Sequence, residues 1–475
     1  MTPPLHHTQE PTSNTLRDDL VRYEPRALRT YTPTQAVIAK SAGVHHWTPE
    51  GRRLYDYSSG VLVANLGHNP RSWMARFAAY MGWNTADHAL NGSGDGYFAA
   101  VPMTAYNAVT PLEIEASRRL VEVVTGRPGG RRLTQVMWAA SGSEAIQKAL
   151  WAALARDRTR EMILATRFGF HGKKGLANAV TGSETDRERD PRVRFLSFPM
   201  TTCADVSQRD AAFDPAPFRR ELDALYQQFG RRLSVLITEP YLGGGGSYHP
   251  PAAYLQLLQT FCREHDLVFI LDEVQANFGR TRELFAFEAY GLEPDVVVLG
   301  KGLGNGVPVS AAIGRSDLFA SLDYGEGSDT WSANPICCAS VLATLDEFAA
   351  HDVLGHSRRM SALIEEGLVG LKQFPFVHQI RGEQGGMVWG VEMGDHAGRT
   401  GAEWANAFVL ACYEGDGPTS DGVHLLGPLA KKVIRISPPL VITEAEVRDS
   451  LAILHRAAYK RAGAAAHTST PPAVG

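Results

Sequence analysis

The sequence predicts an α/β fold: a large domain with a mainly parallel sheet covered by helices, plus a smaller α+β domain. Three observations predict it. Short apolar runs in the middle of the chain read as buried strands. Amphipathic stretches with helical spacing separate several of them, the pattern of a parallel sheet covered on both faces. Near residue 340 the texture changes to long helical patterns followed by strands.

The strands come first in that argument. They are "VMWAA", ending at Ala140, "EMILAT" (161–166), "VRFLSF" (193–198), "LSVLITEP" (233–240), "LVFILDEV" (267–274) and "VVVLG" (296–300). Helical patterns between them include "SEAIQKALWAALARD" (143–157) and "PAAYLQLLQTFCREHD" (251–266). In the second, Tyr254, Leu257, Leu258 and Phe261 recur at helical spacing. After residue 340, "ICCASVLATLDEFAAHDV" and "SRRMSALIEEGLVGLKQF" read as helices, then "GMVWGVEM" and "KVIRISPPLVIT" as strands. The expected large domain is 76–340, and the small domain is 341–462 with a contribution from 18–75. Residues 1–17 and 463–475 are rich in Pro, Ser and Thr or small residues and read as disordered tails.

Composition narrows the function. The 475 residues carry a formal net charge of -4, so no basic excess is available to neutralise nucleic-acid phosphates. Hydrophobic content of 44% and charged content of 21% are those of an ordinary soluble globular protein. Five scattered cysteines suit neither a disulfide framework nor a zinc site and fit a reducing, cytoplasmic setting. No signal peptide and no membrane span is visible in the sequence.

Polar groups stand at the strand ends, where ligands gather in open α/β sheets. Phe269, Ile270 and Leu271 run into Asp272, an acid that is costly to bury without compensation. Ser141-Gly142-Ser143 leads from a strand into a helix. That start is both an ordinary N-cap and a cradle for an anion. Lys301 follows "VVVLG" among glycines, as a surface lysine or as an amine placed in a cavity, where it can form a Schiff base. "GLGNGVPVSAAIG" continues into Val-Pro and an apolar run rather than a helix, so the dinucleotide fingerprint fails. "GFHGKKG" lacks the spacing and hydroxyl of a Walker A loop. An amine, a buried acid and an anion cradle together describe a site for pyridoxal 5'-phosphate. Asp272 is then buried against a protonated ring nitrogen.

At "ILDEVQANFGRT", "PDVVVLGKGLGNGVPVSAAIG", "GSDTWSANP" and "RISPPLVIT", in that order, the chain resembles the class III aminotransferases, fold type I pyridoxal phosphate enzymes with a seven-stranded-type sheet. The resemblance spans roughly residues 35 to 455. It implies that Lys301 is the Schiff-base lysine and proton carrier, and that Asp272 pairs with the ring nitrogen. It implies Gln275 beside the phenolic oxygen, Val274 and Phe170 on the two ring faces, and His171 in an aromatic-His-Gly signature. Gly142 and Ser143 match the phosphate loop. Thr330 matches a threonine that reaches the phosphate of a neighbouring subunit, which implies a homodimer with shared sites. Arg435 matches the clamp for a substrate carboxylate, and Glu239 a supporting acid.

The chain departs from the family pattern beside Glu239. Where an ornithine- or 4-aminobutyrate-handling subgroup carries a glutamate that masks the arginine, this chain has Gly244, and Leu242 replaces the glutamine before it. Ala276-Asn277 replaces the usual Thr-Gly. The implied reaction passes an amino group from an ω-amino acid, diamine or related amine to 2-oxoglutarate or pyruvate. An aminomutase or epimerase, a decarboxylase, and a non-catalytic cofactor-binding scaffold are the rival uses of the same constellation. Trp83, Tyr97 and Tyr106 suit a substrate pocket, the core or a dimer interface equally.

Overall fold

The computed structural model describes residues 5–83, 97–186, 189–203 and 205–468. In chain order the strands are β1 (Lys40–Ala42), β2 (His45–Trp47), β3 (Arg53–Asp56), β4 (Gln135–Ala139), β5 (Met162–Thr166), β6 (Val193–Leu196) and β7 (Leu233–Thr238). They continue with β8 (Val268–Asp272), β9 (Val296–Leu299), β10 (Ser310–Gly314), β11 (Val377–Gly382), β12 (Trp389–Met393), β13 (Gly422–His424) and β14 (Val433–Ile436). The chain divides into two compact units, one of residues 70–203 and 209–354, the other of 1–69, 204–208 and 355–475.

The first unit is built on a seven-stranded sheet in the order β4-β10-β9-β8-β7-β5-β6. The pairs β9–β8, β8–β7, β7–β5 and β5–β6 are parallel, whereas β10 runs antiparallel to both β4 and β9. Every residue of β5, β7, β8 and β9 is buried, as uninterrupted apolar runs require. The helix Gly142–Ala155 lays Ala145, Ile146, Ala149, Ala152 and Ala153 on this core, where small side chains allow close helix–sheet approach. Strand β10, "SAAIG", was not among the strands expected from sequence. It follows β9 with no α-helix between them, too short a link for a parallel crossover, so it returns antiparallel.

The second unit holds a four-stranded sheet, β1-β2-β3-β13, and a three-stranded antiparallel sheet, β11-β12-β14. The boundary after Leu354 lies beyond the expected residue 340. The helix Pro335–Ala350 belongs with the large sheet because it packs on the helices Arg71–Met81 and Pro111–Thr125. Trp73 Nε1 donates to Thr344 Oγ1 at 3.0 Å across that contact.

Both expected tails need correction. Pro11–Tyr23 is a helix, with Pro at its first turn. Arg17 is buried and pairs with Glu10 at 2.7 Å, and Ser13 Oγ donates to Glu50 at 2.7 Å. Polar residues order this segment through long-range pairing, which a compositional reading does not register. At the other end the last helix continues through Thr468; residues 469–475 lie outside the described residues. Among the described residues no helix is long and apolar enough to cross a membrane.

Candidate active site

The site is assembled at the ends of β4, β8 and β9 and in the turns beyond β5 and β7. Ser141 caps the helix Gly142–Ala155: its side chain accepts from Glu144 N, and Glu144 reaches back to Ser141 N at 3.1 Å. That capping box fixes the helix start and directs its unpaired N–H groups off the strand end. Gly142 is closely approached here, since a Cβ would stand 3.3 Å from Val274 Cγ1. Gly172, at φ +140°, lies against Ser143, and a Cβ there would overlap Ser143 Oγ. Lys173 N donates to Ser143 Oγ at 3.3 Å. The helix start, the Phe170–Lys173 turn and Val274 therefore converge.

Asp272, the last residue of β8, is 4% exposed. Its Oδ1 accepts from Val274 N at 3.0 Å, and its Oδ2 lies 2.7 Å from His171 Nδ1. The acid is thus compensated, which resolves the cost of ending a buried strand on a carboxylate. His171 is buried too, and its Nε2 has no hydrogen-bond partner among the described residues.

Glu239, at the end of β7, links the remaining groups. Its Oε2 accepts from Phe170 N at 2.9 Å, and its Oε1 lies 3.4 Å from Gln275 Nε2. Tyr241 Oη donates to the Gln275 carbonyl at 2.8 Å. Burial pushes the Glu239 carboxyl up to about 7, against the opposing pull of His171 and Lys301 and with support from Asp272. Gly244 lies beside Phe170, where an added Cβ would meet the Phe170 Cβ at 3.1 Å. Phe170 itself is 38% exposed.

Lys301 begins a single 3-10 turn after β9 and takes φ +47°, an uncommon conformation for a side chain that large. Gly300 before it also approaches Val274, within 3.3 Å of a built Cβ. Val274 is accordingly flanked by Gly142 and Gly300.

Thr330 is exposed, on a segment fastened by a lysine that sequence reasoning missed. Lys148 is buried on the helix Gly142–Ala155 and donates to the Trp138 carbonyl at 2.7 Å and Ser332 Oγ at 2.6 Å. It pairs with Asp329 at 2.6 Å. The available signal was a lysine inside the apolar stripe "AIQKALWAALA". Arg435 lies buried on β14, in the other unit. Tyr97 and Tyr106 are exposed, and part of the loop expected to shape a substrate pocket, 84–96, lies outside the described residues.

The residues fit pyridoxal phosphate by their own geometry. Glycines at the helix start leave room for an anion against backbone N–H groups. A buried carboxylate and a strand-end amine stand near them, with Val274 as an apolar surface and an unpartnered imidazole nitrogen alongside.

The comparisons with known proteins agree in fold and in kind. Residues 98–458 match the model of the family described as aminotransferase class-III. Acetylornithine aminotransferase of Caldanaerobacter subterraneus is 28% identical over 437 residues, 92% of this chain and 98% of that protein. Ornithine aminotransferase of Emericella nidulans is 25% identical over 455 residues, covering 94% and 91%. The crystal structure of ornithine aminotransferase from Toxoplasma gondii superposes with a TM-score of 0.77 at 21% identity, covering 95% of this chain and 96% of that one. An (S)-enantioselective omega-transaminase from Thermomicrobium roseum gives 0.74 at 24% identity, covering 96% of each. The fold is that of the pyridoxal phosphate-dependent aminotransferases. This chain belongs to the class III aminotransferases, enzymes that transfer an amino group to a keto acid.

Proposed function

We propose that the amino donor is an ω-amino acid, a diamine or a related amine, and that 2-oxoglutarate or pyruvate is the acceptor. The named relatives, acetylornithine and ornithine aminotransferases, support an amine distant from the α-carboxylate. The observation that carries the site assignment is the convergence of the Gly142–Ser143 helix start, the His171–Asp272 pair and Gly300–Lys301 around Val274.

Pyridoxal phosphate, when bound, supplies an aldehyde that takes up the amino group and a ring that accepts the electrons of the donor's C–H bond. Gly142 and Ser143 would hold its phosphate through backbone N–H groups and the hydroxyl. Asp272, oriented by Val274 N–H and His171, would face the ring nitrogen. Val274 and Phe170 would pack on the ring, and Gln275, held by Tyr241 and Glu239, would face the phenolic oxygen. Lys301 would supply the amine for the aldehyde and the base, at Nζ, that takes a proton from the donor carbon. Arg435 is proposed for the substrate carboxylate on its motif alone.

A homodimer with Thr330 serving the neighbouring subunit is part of the same proposal. Exposed Tyr97, Met103, Tyr106, Val109 and Trp331 support a covering partner. A cytoplasmic setting is supported by five cysteines that form no disulfide among the described residues.

The test is an absorption spectrum of the loaded protein, followed by a panel of amines without keto acid. Loss of the lysine-bound cofactor band with one donor, restored by 2-oxoglutarate or pyruvate, names both substrates. A band that no donor converts overturns the substrate assignment.

A further inference from the structure

The register of the four-stranded sheet collects histidines around a buried acid remote in sequence from every residue assigned above. Asp56, last residue of β3, is fully buried and lies between β2 and β13. His424 on β13 is its register partner, and His46 on β2 sits opposite Leu54, which shares the Asp56 face. His68 arrives from the following loop, held there by paired backbone bonds between Gly43 and His68 of 2.9 and 2.8 Å. His68 Nε2 is 2.7 Å and His46 Nε2 is 3.4 Å from the same oxygen, Asp56 Oδ2. The three donor atoms lie within 4.8 Å of one another.

We propose that His46, Asp56 and His68, whose donor atoms are already grouped, form a binding site for a divalent transition-metal ion of the zinc type, with His424 moving in as the fourth donor. Two imidazoles and a carboxylate are the ligand types that such ions take. Tetrahedral coordination at ordinary Zn–N and Zn–O lengths puts neighbouring donors ~3.3 Å apart. The His46–Asp56 spacing already meets that, and His68 withdraws by ~0.6 Å to join.

The outer contacts favour a metal. Asp56 Oδ1 is saturated by Ser58 N, Ser58 Oγ and Ser59 N at 2.7, 2.7 and 3.1 Å, which leaves Oδ2 as the coordinating oxygen. Ser41 Oγ lies 2.7 Å from His46 Nδ1. Accepting the Nδ1 proton, it leaves the Nε2 lone pair for the ion, the outer support metal-binding imidazoles use.

His424 supplies the independent observation. Its Nδ1 is buried with no hydrogen-bond partner among the described residues, and its ring centroid is 5.4 Å from that of His46. A buried polar nitrogen left unmatched is unfavourable, and coordination satisfies it. With four protein donors the ion is structural: it ties β2, β3 and β13 to the 67–69 turn.

The experiment uses the full, cofactor-loaded chain without a histidine tag, stripped with chelator and titrated with Co2+ and then Zn2+. Expected are visible ligand-field bands of four-coordinate Co2+, their loss on adding Zn2+, and a Zn2+-dependent rise in melting temperature. His46→Gln and His424→Leu abolish both responses while amino transfer by the loaded enzyme is retained. Ser41→Ala weakens metal binding by about 10- to 100-fold. Absence of Co2+ bands and of any melting shift in the unaltered protein overturns the proposal, leaving Asp56 with its hydrogen bonds to the imidazoles alone. Equal responses in the wild type and both histidine variants overturn it too.

Discussion

Lys148→Met removes one amine while keeping an apolar stem of similar length in the buried stripe of the helix. Three contacts go with it: to the Trp138 carbonyl, Ser332 Oγ and Asp329. Hydrogen bonds from a charged donor contribute ~1.5–3 kcal/mol each in favourable cases. Two facts reduce the loss. The Asp329 side chain is 31% exposed, so solvent recovers most of its share, leaving ~1 kcal/mol or less. The Trp138 carbonyl keeps Ser332 Oγ at 3.0 Å, so no buried acceptor is orphaned. The net cost to the 328–334 segment is ~2 kcal/mol, roughly a 30-fold rise in its local opening.

The assay is amide hydrogen exchange in the native protein, read on peptides that cover 328–334. Trp331 N, which donates to Asp329 Oδ1 at 2.9 Å, is the most direct reporter. Although burial raises the Asp329 carboxyl, its bonds from Lys148 and Ser332 prevail and hold it below the usual 3.8. A depressed acid contributes stability above its unfolded value and loses it as pH falls through the folded one. The difference between wild type and variant therefore persists at neutral pH and shrinks below 3.8. A change in exchange under about fivefold, ~1 kcal/mol, would refute the reasoning.

Glu239→Gln removes a carboxyl that is neutral below about 7 and charged above it. Loss of that negative charge beside Lys301 lowers the titration midpoint of the lysine-bound cofactor by ~0.5–1 unit, measured by absorbance against pH. Gly172→Ala drives a Cβ into Ser143 at a φ that side chains rarely adopt, so cofactor affinity falls by at least about tenfold in a spectroscopic titration. Glu273 accepts from Ala286 N and Phe287 N at 2.6 and 2.7 Å, and burial pushes it up to about 8. A raised acid is most stabilising below its unfolded value of 4.5, and that stability is lost as pH rises through 8. Denaturant melts between those limits should show the wild type weakening with pH more than Glu273→Gln.

The strands of the large sheet and the groups at their ends are legible in the amino-acid order alone. Runs such as "FILD" and "VVVL" announce strands because covering both faces leaves no position for a polar residue until the strand surfaces. There, Asp272 and Lys301 break the apolar pattern, and the unusual residue is the legible one. The segments bearing the Gly142–Ser143 cradle were readable because a strand, small residues and a helix start are contiguous. What depended on residues distant in sequence was decided only by the tertiary structure. His171 as the partner of Asp272, Glu239 as the link between Phe170 and Gln275, and Lys148 as the fastening of the Thr330 segment span gaps no local pattern encodes. The first half of helix Pro11–Tyr23, up to Arg17, reads as a tail because Arg17, Ser13 and Glu10 look like solvated residues until their partners close over them. The His46–Asp56–His68–His424 cluster has the same origin. Burial and register, which turn ordinary polar residues into a site, arise only when distant strands pair.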